Sequence, residues 1–136
     1  MQIEIKEINA YKTYNLRQQV MWPNKPLDYI KLEQDQDGHH FGLYKNNIIV
    51  SVISLFINKN NAQFRKFATD IKEQGKGYGS ILLKHVILFS ENNNIKKIWC
   101  NARKDKSEYY KRFGLTTSNI TFSKGGINFV IMEKNI

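Results

Sequence analysis

The six residues Gln74–Gly79, read Gln-Gly-Lys-Gly-Tyr-Gly, restrict the fold of this chain more than any other segment. They separate a strand pattern over Ala62–Ala68 from a run in which Tyr78, Ile81, Leu82, His85, Val86 and Phe89 recur at helical spacing. A tight strand-to-helix turn is required there, and glycine supplies the backbone freedom for it. The same arrangement suits a bulky anion. No Cβ blocks its approach, and the first amides of the following helix lack intrahelical partners at the positive end of the dipole. Lys72 and Lys76 add positive charge around the turn. Gly-x-Gly alone also fits a turn that binds nothing. Neither G-x-x-x-x-G-K-[ST] nor a third glycine completing G-x-G-x-x-G is present.

The rest of the chain falls into short elements around this turn. Ile3, Ile5 and Ile8 predict a first strand, and Asn9–Met21 a helix with Asn9 as N-cap and Leu16 and Val20 one turn apart. Trp22-Pro23 and Lys25-Pro26 break that helix, and Leu27–Gly38 reads as a polar, acid-rich connection. His40–Lys45 and Ile48–Ile57 flank Asn46-Asn47, a hairpin turn in which asparagine tolerates positive φ. Ala62–Ala68 is the next strand, alternating around Phe64 and Phe67. Beyond the long helix, Lys97–Ala102 reads as a strand and Asp105–Phe113 as a short helix closed by Gly114. Leu115–Phe122 and Ile127–Met132 form a last hairpin through Gly125-Gly126. The order is strand, helix, three strands, helix, strand, helix, two strands. One domain over residues 1–136 is expected, with no repeat or linker to divide it.

Gln74, Gly77 and Gly79 match the Q/R-x-x-G-x-G/A motif of the acetyl-CoA-dependent N-acetyltransferase (GNAT) superfamily, which the chain resembles. Phe64–Thr69 resembles the family's fourth strand and Ser80–Leu83 its helix start. Asn101-Ala102-Arg103 and Tyr109–Leu115 resemble its N-A-R…F-Y-e-k-x-G-F block. Two motifs in the right order are far more specific than either alone. The resemblance implies an α/β fold: a mixed, mainly antiparallel sheet of about seven strands, helices on both faces, and strands four and five splayed. It also implies a transferase that moves the acetyl group of acetyl-CoA to a primary amine, directly, in a ternary complex.

That chemistry has four needs. The pyrophosphate must be held, which Gln74, Gly75, Lys76, Gly77, Tyr78, Gly79 and Ser80 can do. The pantetheine amides need partners, and the resemblance assigns these to the backbone of Phe67, Ala68 and Thr69, with Asn101 beside the arm. Asn101 equally suits a strand-end turn. A strand-edge N–H near Phe67 or Ala68 would meet the developing oxyanion. The departing thiolate gains from a proton, and Tyr110 occupies the family's general-acid position, a phenol protonated at neutral pH. The acceptor amine must itself be neutral, and for a lysine-like amine that costs about 4–5 kcal/mol at pH 7. Many relatives place a glutamate on the fourth or fifth strand for this. Here the fourth strand carries Arg65 and Lys66 and the fifth has no carboxylate. The base is unassigned, with Glu33, Asp35, Asp37, His39 and His40 as candidates. Tyr109 and Phe113, one turn apart, predict a core-facing stripe that leaves Tyr110 turned elsewhere.

Other readings are weaker. Lys76-Gly77-Tyr78-Gly79 matches the first half of an RNA-recognition octapeptide, but Ser80 and Leu83 fall where stacking aromatics belong. A catalytically silent CoA-binding relative is the other alternative. His39 and His40 are adjacent and would point to opposite faces of a strand, so no metal is expected. Lys and Arg number 21 against 12 Asp and Glu, a net charge of +9. The excess is spread along the chain and marks no basic tail, so it does not by itself call for nucleic acid. The only cysteine, Cys100, reads as a buried strand residue and rules out an internal disulfide. With no apolar stretch of membrane-spanning length, a cytoplasmic protein is expected. The acceptor stays open, as does a homodimer.

Overall fold

The structure, a computed structural model, describes residues 2–136. Seven strands are present among them: β1 Ile3–Ile8, β2 His39–Lys45, β3 Ile48–Asn58, β4 Asn61–Thr69, β5 Lys97–Arg103, β6 Thr116–Lys124 and β7 Ile127–Asn135. They form one sheet in the order β1-β2-β3-β4-β5-β7-β6. Every neighbouring pair is antiparallel except β4 and β5, which run parallel. The α-helices are α1 Tyr14–Leu16, α2 Leu27–Ile30, α3 Tyr78–Asn92 and α4 Ser107–Lys111. The fold is the mixed, mainly antiparallel α/β arrangement expected from the sequence.

The hairpin turns follow their residues. Asn46 and Asn47 adopt φ of 50° and 70°, and Gly125 and Gly126 adopt 59° and 79°. Positive φ at both central positions matches the twist of the flanking strands. One sheet face is covered by α3, whose Leu82, Leu83 and Val86 are fully buried against Leu43, Ile53, Leu55 and Ile98. The opposite face holds a smaller cluster of Leu16, Val52 and Ala68, with Val20 and Met21 packed on it.

Two expectations need correction. The stretch 10–21 is helical, but its bonding passes from a 3-10 turn at Ala10–Thr13 through α1 to π geometry at Arg17–Met21. Asn9 makes no side-chain cap. Arg17 anchors the irregular turn: it is fully buried, and its guanidinium reaches inward to Asp35, Ser54 and the Ile30 carbonyl. The second correction concerns β4, which does not alternate simply. Val52 lies opposite Ala68 and Ser54 opposite Arg65, so one residue of β3 faces two of β4. The extra residue is a bulge, with Lys66 at φ 55°. It is the bulge that lets Phe64 and Phe67, three positions apart, pack against the same core.

Candidate active site

Strands β4 and β5 are in register only at Asn61–Lys97, Ala62–Ile98 and Gln63–Trp99. Beyond Gln63 they part. Alternate backbone groups of β4 therefore face an open edge over Phe67, Ala68 and Thr69. A cavity of about 810 Å³ occupies the gap. Its β4 wall includes Phe67, Ala68 and Thr69, and its β5 wall Cys100 and Asn101. Gln74, Gly75 and Gly79 bound one end, and Tyr109 and Tyr110 look in from α4.

The glycine turn divides its work. Gly75 and Gly77 hold φ of 80° and 88°, and a Cβ built on either meets nothing within 4 Å. Their demand is conformational, and the space above them is open. Gly79 is different, because a Cβ there would come within 3.2 Å of both the Phe67 ring and Thr69 Oγ1. Its small size lets the start of α3 sit against β4. Gln74 Nε2 donates to the Thr69 carbonyl at 2.9 Å and ties the turn to the strand end.

The other predicted cradle residues are placed less simply. Lys76 pairs with Glu73 at 3.2 Å, and Lys45 shares the same carboxylate. These two ammonium groups, Lys76 first, hold Glu73 below the usual carboxylate range. The Lys76 charge is thus partly matched within the protein. Tyr78 is 5% exposed, with its ring in the core and the Lys45 ammonium 5.7 Å from the ring centre. Buried in this way, it offers no stacking surface to an RNA base, and Lys76–Gly79 lies at a helix start instead of on a strand. The Ser80 hydroxyl is 3.1 Å from that of Tyr109.

Tyr110 departs from its predicted stripe. Both tyrosines pack against the core, with ring centres 5.3 Å apart, and Tyr110 lies 5.7 Å from Phe64. Tyr109 does stack with Phe113, at 5.1 Å, as expected. Gly114, at φ 90°, closes the helix, and the Leu115 N–H donates back to the Tyr110 carbonyl. Both tyrosines line the cavity. Burial, then the neighbouring Cys100 and Tyr109, push the Tyr110 phenol above its ordinary value. Cys100 itself is pushed up to about 12 by burial.

The candidate bases are otherwise engaged. Both Asp35 carboxylate oxygens accept from Arg17, at 2.9 and 3.0 Å, and Oδ2 also accepts the Leu32 N–H. Burial alone would raise this carboxyl, but Arg17 and Leu32 hold it below its usual range. His40 Nε2 is 2.8 Å from the Asp35 carbonyl oxygen, and its Nδ1 is 2.7 Å from Ser54 Oγ. A carbonyl only accepts, so Nε2 carries the proton and Nδ1 accepts from Ser54. Burial lowers the His40 pKa and keeps the ring neutral. His39 leaves the other face toward Glu7, at 2.8 Å. Glu33 and Asp37 are exposed on a 3-10 turn away from the cavity. Asp35 and His40 border a separate cavity of about 760 Å³ between β1 and the start of the helical stretch. It lacks both a glycine turn and a parted strand edge.

Residues 14–136 match the model of the acetyltransferase (GNAT) domain. The chain is 25% identical over 144 residues to YitI, an uncharacterized N-acetyltransferase of Bacillus subtilis (strain 168), covering 98% of this chain and 97% of that one. The ribosomal-protein-S18-alanine N-acetyltransferase of Escherichia coli superposes with a TM-score of 0.84 at 18% identity, over 99% of this chain and 94% of its own. A GNAT family acetyltransferase of Elizabethkingia anophelis, solved with acetyl-CoA bound, gives 0.79 at 19% identity over 98% of both chains. With the motif residues, the parted strands and the family match in agreement, the chain belongs to the acetyltransferase (GNAT) domain family, a group of acyl-CoA-dependent N-acyltransferases.

Proposed function

We propose that residues 1–136 form one N-acetyltransferase domain that moves the acetyl group of acetyl-CoA to a primary amine by direct transfer in a ternary complex. The observation that carries this reading is the parting of β4 from β5 beside a glycine turn, with the Tyr110 phenol on the cavity wall. The residues present fit the cosubstrate. Open space above Gly75 and Gly77 admits a pyrophosphate, and the first amides of α3 point toward it. The free edge at Phe67–Thr69 offers strand-like hydrogen bonds to pantetheine amides, with Asn101 across the gap.

Bound acetyl-CoA supplies an activated acetyl thioester. A β4 edge N–H near Phe67 or Ala68 stabilises negative charge on the carbonyl oxygen. The amine nitrogen forms the new C–N bond as the C–S bond breaks, and Tyr110 Oη delivers its proton to the sulfur. Burial raises both the Tyr110 phenol and the Cys100 thiol in the same wall, so the phenol holds its proton until a base is brought to it. The proton shed by the amine restores the tyrosine. We also place the protein in the cytoplasm, where its single buried thiol suits a reducing compartment. Among the described residues no helix is long and apolar enough to cross a membrane.

Titration with acetyl-CoA, CoA and RNA oligomers, followed by thermal unfolding, tests the reading. Acetyl-CoA and CoA should raise the melting temperature and RNA should not. Stabilisation by RNA alone would defeat the proposal. Binding without CoA release across a broad amine panel would favour the silent relative.

A further inference from the structure

Two cations on β4 have no counter-ion. Arg65 and Lys66 are partly buried where β4 leaves β5, and both line the cavity that contains Tyr110. Among the described residues neither has a carboxylate or hydrogen-bond partner. Arg65 only rests its guanidinium 5.9 Å from the Phe56 ring centre. Asp35, the carboxylate that acts on both cations, is already taken on both oxygens by Arg17, and Asp105, which lines the same cavity, pairs with neither. Burial, then Arg65, Arg17 and Lys124, push the Lys66 ammonium below its ordinary value, with only Asp35 opposing. Partly desolvated cations without an anion are costly, so this end of the cavity is poised to accept negative charge.

These cations stand apart along β4 from the turn proposed for the cosubstrate's pyrophosphate. The glycine turn is fastened to Thr69, three to four strand residues away, or roughly 10–13 Å from Lys66 and Arg65. The cations instead flank the wall formed by Val20 and Met21 from the helical stretch, which leaves apolar room for a short chain. They also oppose a second positive charge, so a polyamine would enter against like charge.

We propose that the acceptor is a small amine carrying a carboxylate or phosphate, and that Arg65 and Lys66 bind this anionic group. The inference rests on the acetyl-transfer reading and names its substrate class. Charge-assisted hydrogen bonds of about 1.5–3 kcal/mol correspond to roughly 10–100-fold in kcat/KM. The experiment compares acetylation of matched amines: free amino acids against their amides, phosphoethanolamine against ethanolamine, and spermidine as the polycation. The anionic member of a pair should be favoured by at least about tenfold, and the pair that shows it identifies carboxylate or phosphate. Arg65→Gln and Lys66→Gln should erase that preference through KM, and Lys66→Arg should restore it. Acetyl-CoA affinity, measured separately by calorimetry, should stay unchanged in these variants. Equal rates, or a preference for amides or spermidine, would overturn the inference alone, whereas no turnover of any amine by protein that binds acetyl-CoA would favour the silent relative and overturn the acetyl-transfer reading with it. Failure of the unmodified protein to bind acetyl-CoA would instead remove the reading beneath it.

Discussion

The Tyr109 hydroxyl lies 3.1 Å from Ser80 Oγ, joining α4 to the first turn of α3. Its neighbour Tyr110 has no hydrogen-bond partner for its hydroxyl among the described residues, although its ring packs against the same core. One phenol is committed to structure and the other is open to the cavity. Tyr110→Phe should therefore lower turnover by about 100-fold or more, with fold and CoA affinity preserved, if chemistry is limiting. Tyr109→Phe should cost about 1 kcal/mol of stability and leave turnover near normal. Rates of both variants at saturating substrates decide the matter. A loss confined to Tyr109→Phe would exchange the two roles.

Gly77→Val tests the cradle. A Cβ at this position meets no protein atom, so the fold loses only the roughly 1–2 kcal/mol of a left-handed conformation. Acetyl-CoA should bind at least about tenfold more weakly, because the new side chain fills the space a phosphate needs. Calorimetry on folded protein gives the answer, and an unchanged dissociation constant would count against the turn as an anion site.

The Arg17–Asp35 pair is buried on both sides, and Arg17 Nε already lacks a partner. Asp35→Asn leaves an uncompensated guanidinium in the interior and should cost about 3–5 kcal/mol in urea unfolding. Arg17→Met combined with Asp35→Leu should recover most of that loss. A double variant no better than the single would show that the network does more than neutralise itself.

Stability should also fall in mild acid. The folded pKa of His40 is depressed by burial, so its contribution is fully present above the ordinary value of about 6.5 and is lost as pH falls toward the folded value. Protonating Nδ1 would also turn the acceptor of the Ser54 hydroxyl into a donor. Urea midpoints should decline from pH 7 to pH 5 in the unmodified protein. His40→Gln, less stable at pH 7, should show a flatter profile across that interval.

What the sequence discloses depends on how local the cause is. The turn at Gln74–Gly79 and the hairpins at Asn46-Asn47 and Gly125-Gly126 are legible because each rests on backbone demands of adjacent residues. The bulge at Lys66 is not, since lysine gives no sign of a positive φ that only the β3 register imposes. Arg17, beside Leu16, is fully buried. Its partners lie 18 and 37 residues away, and nothing local announces them. Tyr109 and Tyr110 both pack against the core because a five-residue helix is covered on more than one side, which helical spacing alone does not disclose.

The short register between β4 and β5 also has a mechanical meaning. Strands β1–β4 and β5-β7-β6 are two leaves whose direct pairing is a spine of three residue pairs, with one core beneath α3 shared by both. With a spine that short, the spacing of the two walls beyond Gln63 rests on the core packed under both leaves. Ala62 and Ile98, both with no exposed surface, sit in that spine. Enlarging either should alter the width of the mouth at Tyr110 from a distance, by leverage and not by contact.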